Sequence, residues 1–159
     1  MVHMLIGIQG SGKTTFAKEL SAKLNCNIAS TDYVRQYMKE IPESEVFNTV
    51  YKLVAEAINN NQDIIYDATN ITPKVRKRFF DEVRKYDVNP TVTAYYFDTD
   101  VMECFKRVKI RNTKEGELYL PEEVVFSYNE KIIKPELTEG FVKINIVKDG
   151  TIVNTIPLL

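Results

Sequence analysis

A parallel β-sheet covered by helices on both faces is the fold this sequence predicts, and three observations carry it. Short apolar runs alternate with amphipathic stretches along all 159 residues, the signature of β-α-β units. The first apolar run, Met4-Leu5-Ile6, passes at once into a glycine-rich turn and then a helical run. No linker or repeat divides the chain, so residues 1–159 read as a single α/β domain, long enough to bury a core and too short for a second unit of ordinary size.

The elements follow in order. Strands are expected at about Val2 to Ile8, Asn27 to Ala29, Asp63 to Tyr66, Thr91 to Phe97 and Val142 to Val147, each bounded by turn residues or by a helix start. Between them Lys13 to Leu24, Tyr33 to Lys39, Glu43 to Asn59, Pro73 to Tyr86, Asp100 to Asn112 and Pro121 to Ile133 place apolar residues at helical spacing. Pro73 follows Thr72 and Pro121 precedes Glu122-Glu123, positions where a helix start tolerates proline. Asp149-Gly150 between two apolar segments is a hairpin signal, predicting a short antiparallel strand around Thr151 to Asn154. The polar, glycine-containing stretch from about 111 to 121 interrupts two helices. It reads as a lid of the kind that keeps water from a reacting phosphate, with an ordinary solvated connection as the alternative.

The glycine-rich turn is Gly7-Ile8-Gln9-Gly10-Ser11-Gly12-Lys13-Thr14, a complete G-x-x-x-x-G-K-[ST] phosphate-binding loop. Glycines let successive backbone N–H groups turn toward phosphate oxygens, and the helix that follows adds the positive end of its dipole. Lys13 is expected to reach the β- and γ-phosphates and Thr14 to offer its hydroxyl to Mg²⁺. Gly10, Ser11, Gly12, Lys13, Thr14 and Thr15 together form the expected nucleotide site. The fold class becomes a P-loop NTPase, three-layered α/β/α.

Ligands of such folds bind at the carboxyl ends of the parallel strands. After the second strand, Thr31-Asp32-Tyr33-Val34-Arg35 sets a carboxylate and an arginine three residues apart on one helix face. Asp32 can accept the proton of an attacking hydroxyl and Arg35 can hold an anionic group of the acceptor. A helix-start charge and a surface arginine are the plainer roles. After the third strand, Ile64-Ile65-Tyr66-Asp67-Ala68-Thr69-Asn70 ends an apolar run in Asp67, a Walker B-like carboxylate suited to the Mg²⁺ shell; Asp67 and Asn70 are candidate substrate contacts, or turn residues. Arg107 and Arg111 lie four apart beside the expected lid, one able to stack on a base and the other to neutralise charge on a transferred phosphoryl group. The cluster Lys74, Arg76, Lys77 and Arg78 reads as a solvated face, since Asp81 and Glu82 follow on the same helix.

Composition narrows the partners. A net charge of −1 supplies no basic field for coating long nucleic acid, so a polyanionic partner must be gripped locally. Cys26 and Cys104 lack metal-ligand spacing and read as buried thiols of a reduced cytosol, giving a cytoplasmic expectation. The single histidine, His3, builds no metal cluster alone. No apolar run approaches a membrane span, and the sequence leaves oligomeric state open.

Gly7 to Thr14, Thr31 to Arg35, Asp67 to Asn70, Lys106 to Arg111 and Pro121-Glu122-Glu123-Val124 together resemble the phage-type 5′-polynucleotide kinase family, P-loop kinases with an AAA-like ATP-binding domain. The resemblance runs over nearly the whole chain. It implies a five-stranded parallel sheet of nucleotide-kinase type in the order 2-3-1-4-5. It also implies Mg²⁺-dependent transfer of the γ-phosphate of ATP to the 5′-OH end of RNA or DNA. Asp32 would then be the general base, Arg35 the acceptor clamp, and Arg111 with Arg107 the lid-side pair that stabilises the transition state, with Lys13 and Arg111 counted with Asp32 as catalytic. A kinase of a small-molecule acceptor and a nucleotide-binding ATPase switch remain the alternatives.

Overall fold

In the computed structural model, which describes residues 1–117 and 119–159, the central strand is β1 (Val2–Ile6). Every β1 residue is buried, with Val2, Met4 and Ile6 packed into one helical layer and Leu5 into the other. That is the period-two alternation of a strand covered on both faces. β3 (Ile64–Asp67) and β4 (Val92–Phe97) flank β1 in parallel. β2 (Asn27–Ser30) pairs with β3, and β5 (Phe141–Lys148) with β4, again in parallel. β6 (Thr151–Pro157) closes antiparallel on β5 through the Asp149-Gly150 turn, giving the order β2-β3-β1-β4-β5-β6. The parallel part has the expected 2-3-1-4-5 order. The expected antiparallel strand is the sixth among the described residues, and it runs to Pro157, opposite Lys143, rather than stopping near Asn154.

Six helices cover the sheet. α3 (Val46–Asn59) and α4 (Pro73–Arg84) bury Val50, Tyr51, Val54, Phe79, Phe80 and Val83 against Val2, Met4, Ile64, Tyr66 and Ala94. α1 (Lys13–Leu24) lays Phe16 and Ala17 on Leu5, Ile65, Tyr95 and Phe97 of the opposite face. α5 (Val101–Arg111) and α6 (Glu123–Lys131) share a third cluster with Ile8 and Ile71 through Cys104, Val108 and Val125. α2 (Thr31–Tyr37) completes the set and leans on the first cluster through Val34.

Several boundaries differ from expectation for local reasons. β1 stops at Ile6 because the chain leaves the sheet at Gly7, whose N–H donates to the Thr69 carbonyl at 3.0 Å. α2 begins two residues early because Ser30 caps it, Oγ accepting from the Tyr33 N–H at 3.3 Å. Glu43–Glu45 forms a 3₁₀ turn before α3, and α6 starts at Glu123 rather than at Pro121. Cys104 is fully buried but Cys26 only partly so, which corrects the expectation for the second thiol. His3 is structural, its Nδ1 2.9 Å from the Tyr95 hydroxyl. Burial lowers its pKa, with the Asp63 carboxylate opposing. Among the described residues no helix is long and apolar enough to cross a membrane.

Candidate active site

The phosphate-binding loop rises from β1, whose neighbours β3 and β4 lie on either side of it. Gly10 and Gly12 adopt φ of 78° and 97°, a region costly to any residue with a Cβ. A Cβ on Gly10 would also collide with the Cys104 backbone carbonyl of α5, so this glycine sets how closely loop and helix approach. Gly12 caps α1 without any side-chain hydrogen bond, leaving the first-turn N–H groups of α1 for a ligand.

A cleft of about 570 Å³ opens over this loop. Of the expected nucleotide residues, Gly10, Gly12, Lys13, Thr14, Thr15 and Arg107 line it. Ser11 does not: its hydroxyl turns inward to the Ile8 carbonyl at 2.7 Å and its N–H bonds the same oxygen at 3.2 Å. In this structure both groups shape the turn. Lys13 Nζ also donates to the Ile8 carbonyl, at 3.0 Å. Burial lowers the Lys13 pKa, against the pull of the Asp67 and Asp32 carboxylates.

Asp32 and Arg35 both face the cleft from the start of α2. Arg35 is already engaged: Nε donates to the Glu43 carboxylate at 3.1 and 3.3 Å, and one terminal nitrogen lies 3.4 Å from Asp32 Oδ1. Glu43 went unread in the sequence because nothing local pairs it with a residue eight positions away across a turn. Gln9, at a variable position of the loop motif, also lines the cleft, as do Phe47 and Tyr128, which carry no sequence motif.

Asp67, the last residue of β3, lies on the cleft floor and is buried. Burial pushes its carboxyl up to about 6, with Lys13 opposing and Asp32 adding to the rise. Asn70 is not in the cleft. Its side-chain amide donates to the Leu5 carbonyl at 2.8 Å and the Ala68 carbonyl at 3.3 Å, and the residue is 1 % exposed. The side chain braces β1 against the segment after β3.

The shift on Asp67 has a testable sign. A carboxyl whose folded pKa lies above its unfolded value costs nothing when both states are protonated, and costs progressively more as pH rises between the two values. With 3.8 as the reference and about 6 in the fold, Asp67→Asn should stabilise the ligand-free protein by about 3 kcal/mol above pH 6. The gain should vanish as pH falls toward 4. Thermal unfolding at pH 7.5 and 4.5 reads this directly, and equal gains at both would refute it.

Arg107 and Arg111 sit on α5 as the spacing requires. Arg107 bridges to the Gly10 carbonyl at 3.1 Å and to Glu103 at 3.2 Å. Arg111 lines the cleft with its buried Nε unpartnered among the described residues, a donor free for an incoming anion. The expected lid joins α5 to α6; Leu118 within it lies outside the described residues. Asn112 pinches the base of this loop, donating to the Leu120 carbonyl at 2.6 Å and accepting its N–H at 3.0 Å. Gln36 of α2 donates to the Gly116 carbonyl at 2.5 Å, tying loop to helix.

These residues fit a Mg²⁺-bound polyphosphate. Positive-φ glycines, an uncapped helix start and unpaired Arg111 Nε suit phosphate oxygens. The Thr14 hydroxyl with Asp67 matches the sparse oxygen set by which proteins hold Mg²⁺ beside substrate phosphates. The described residues contain no group of three or more His, Cys, Asp or Glu able to hold a metal alone.

Comparison of the fold finds close likenesses at low identity. A protein of Chloroflexus aurantiacus assigned as a kinase superposes with a TM-score of 0.72 at 15 % identity, over 94 % of this chain and 85 % of that one. Kti12 of Chaetomium thermophilum, solved with ADP-AlF3, gives 0.70 at 16 % over 94 % and 89 %. A gluconokinase of Sinorhizobium meliloti gives 0.55 at 12 % over 92 % and 82 %. At these identities the likeness establishes the P-loop kinase fold. A comparison with curated proteins finds no match. The family model described as AAA domain matches residues 2–135, and with most of its length so matched the chain belongs to the AAA domain family.

Proposed function

We propose that this chain is an ATP-dependent, Mg²⁺-requiring kinase that phosphorylates the 5′-hydroxyl end of RNA or DNA. The observation that carries the reading is the pairing of Asp32 with Arg35 on one turn of α2, both facing the cleft that holds Lys13, Asp67 and Arg111. A carboxylate beside an anion-binding fork suits an acceptor whose hydroxyl sits next to a phosphate. Lys13 and the loop amides bind the donor phosphates, while Thr14 and Asp67 would hold Mg²⁺, which would supply charge neutralisation to the phosphates. Asp32 accepts the proton of the acceptor hydroxyl. Arg35 orients the acceptor through its nearest phosphate. Arg111, with Arg107 beside it, meets the charge that spreads over the transferred group. The 111–121 loop excludes water during transfer. A cytosolic setting suits this activity.

Transfer of label from γ-labelled ATP to 5′-OH oligonucleotides, with 5′-phosphorylated controls, tests the reading. Labelling that requires a free 5′-OH supports it, and ATP binding without labelling overturns it. One observation favours a second reading, a kinase of a neutral small molecule: Arg35 is already satisfied by Glu43 and Asp32, so it can serve as a purely structural ion pair. Glu43→Gln separates the two. If Arg35 clamps an acceptor phosphate, removing its competitor should lower the oligonucleotide KM by roughly 3- to 10-fold with kcat nearly unchanged. An unchanged KM would make Arg35 structural.

A further inference from the structure

The geometry points to a nucleobase-stacking platform formed by Tyr33 and Tyr37, which seats the ring of the acceptor's terminal nucleotide in a second groove. This rests on the proposed kinase reading and names where the acceptor lies. The groove, about 480 Å³, runs between α1 and α2 and meets the phosphate cleft at Asp32, Asp67 and Arg111, which line both. Tyr33 and Tyr37 form one of its walls and are 58 % and 65 % exposed, with ring centroids 5.0 Å apart at a tilt of 42°. Lys18 of α1 lines the groove and has no ion-pair partner among the described residues.

Single exposed aromatics need no explanation. A pair of them in tilted contact one helical turn apart, beside a candidate base and an unpaired cation, has the make-up of a site for single-stranded nucleic acid. Rings receive a base's π-face whatever its identity, and a cation tracks the backbone. The placement around α2 supports a nucleotide in particular. At roughly 100° per residue, Arg35 lies about 60° to one side of Asp32 and Tyr33 about 100° to the other. A sugar hydroxyl at Asp32 therefore sends its phosphate toward Arg35 and its base toward the tyrosines. The helical rise from Asp32 to Tyr37, about 7 Å, matches the reach of one nucleotide.

The test compares a 5′-OH tetranucleotide with the same strand made abasic at its first position. The native enzyme should show a KM about tenfold or more higher for the abasic strand. Tyr33→Ala/Tyr37→Ala should raise the KM for the normal strand by a similar factor and erase the difference between strands, with ATP affinity unchanged. Tyr33→Phe/Tyr37→Phe should restore it. If the native enzyme labels both strands with one KM, the platform is refuted and the kinase reading stands. That comparison needs no variant, so a double variant that fails to fold leaves it intact. If the native enzyme labels neither strand, the kinase reading falls and the platform with it.

Discussion

Asp32→Ala should lower kcat for phosphoryl transfer by about 10² or more while leaving ATP affinity within a few fold. Asp32 projects into the cleft with its side chain 63 % exposed, and its sole side-chain partner among the described residues is Arg35 at 3.4 Å. It can therefore meet an incoming hydroxyl without first breaking a strong bond. Among the described residues it makes no hydrogen bond to the phosphate-binding loop and acts on Lys13 only through space, so the donor site should change little. Asp32→Asn refines the result, because it keeps the shape and removes the basicity. Equal losses in the two variants identify proton transfer, and near-normal kcat in either refutes the assignment. ATP affinity follows from nucleotide titration of the same preparations.

Glu139→Ala should destabilise the fold by about 3–5 kcal/mol. Arg76 is completely buried and gives Nε and one terminal nitrogen to Glu139 at 2.7 and 3.1 Å. Its remaining nitrogen donates to the Asn70 carbonyl at 2.8 Å and the Ile133 carbonyl at 3.0 Å. Removing the carboxylate strands a cation in the interior, the costly way to break such a pair. At about 2–4 °C per kcal/mol for a domain of this size, the melting temperature should fall by about 10 °C. Arg76→Met/Glu139→Leu should recover much of that loss, since neither charge then needs a partner. A single-variant loss below 1 kcal/mol would mean that water reaches Arg76.

The same arginine marks where the sequence stops being informative. Lys74 to Arg78 reads as a solvated face because Asp81 and Glu82 follow on the helix, and for Lys77 this holds, its ammonium pairing with Asp81 at 2.6 Å. Arg76 turns inward to a carboxylate 63 residues away, a pairing that no local spacing encodes. The strands and helix layers were legible because alternation and the glycine loop are local signals that the fold obeys, whereas the strand order 2-3-1-4-5 came from the family resemblance and not from spacing. Clustering of Lys13, Asp32, Asp67, Arg107 and Arg111 on one cleft follows from strand ends and helix spacing. The directions of the Ser11 and Asn70 side chains were hidden for one reason. Residue type announces a polar side chain, while its direction depends on backbone turns, including the φ of 50° at Asn70, that only the assembled fold fixes. Glu43 was invisible for the reason that hid Glu139.

The bond from Gln36 to the Gly116 carbonyl joins the helix that carries Asp32 and Arg35 to the loop that follows Arg111. Two halves of the cleft are thereby mechanically joined, and thermodynamic reciprocity then governs them. If donor phosphates drawing on Arg111 shift the loop, α2 shifts with it, and the factor by which nucleotide changes acceptor affinity must equal the factor by which acceptor changes nucleotide affinity. Any cooperativity so transmitted would run through a single side-chain amide.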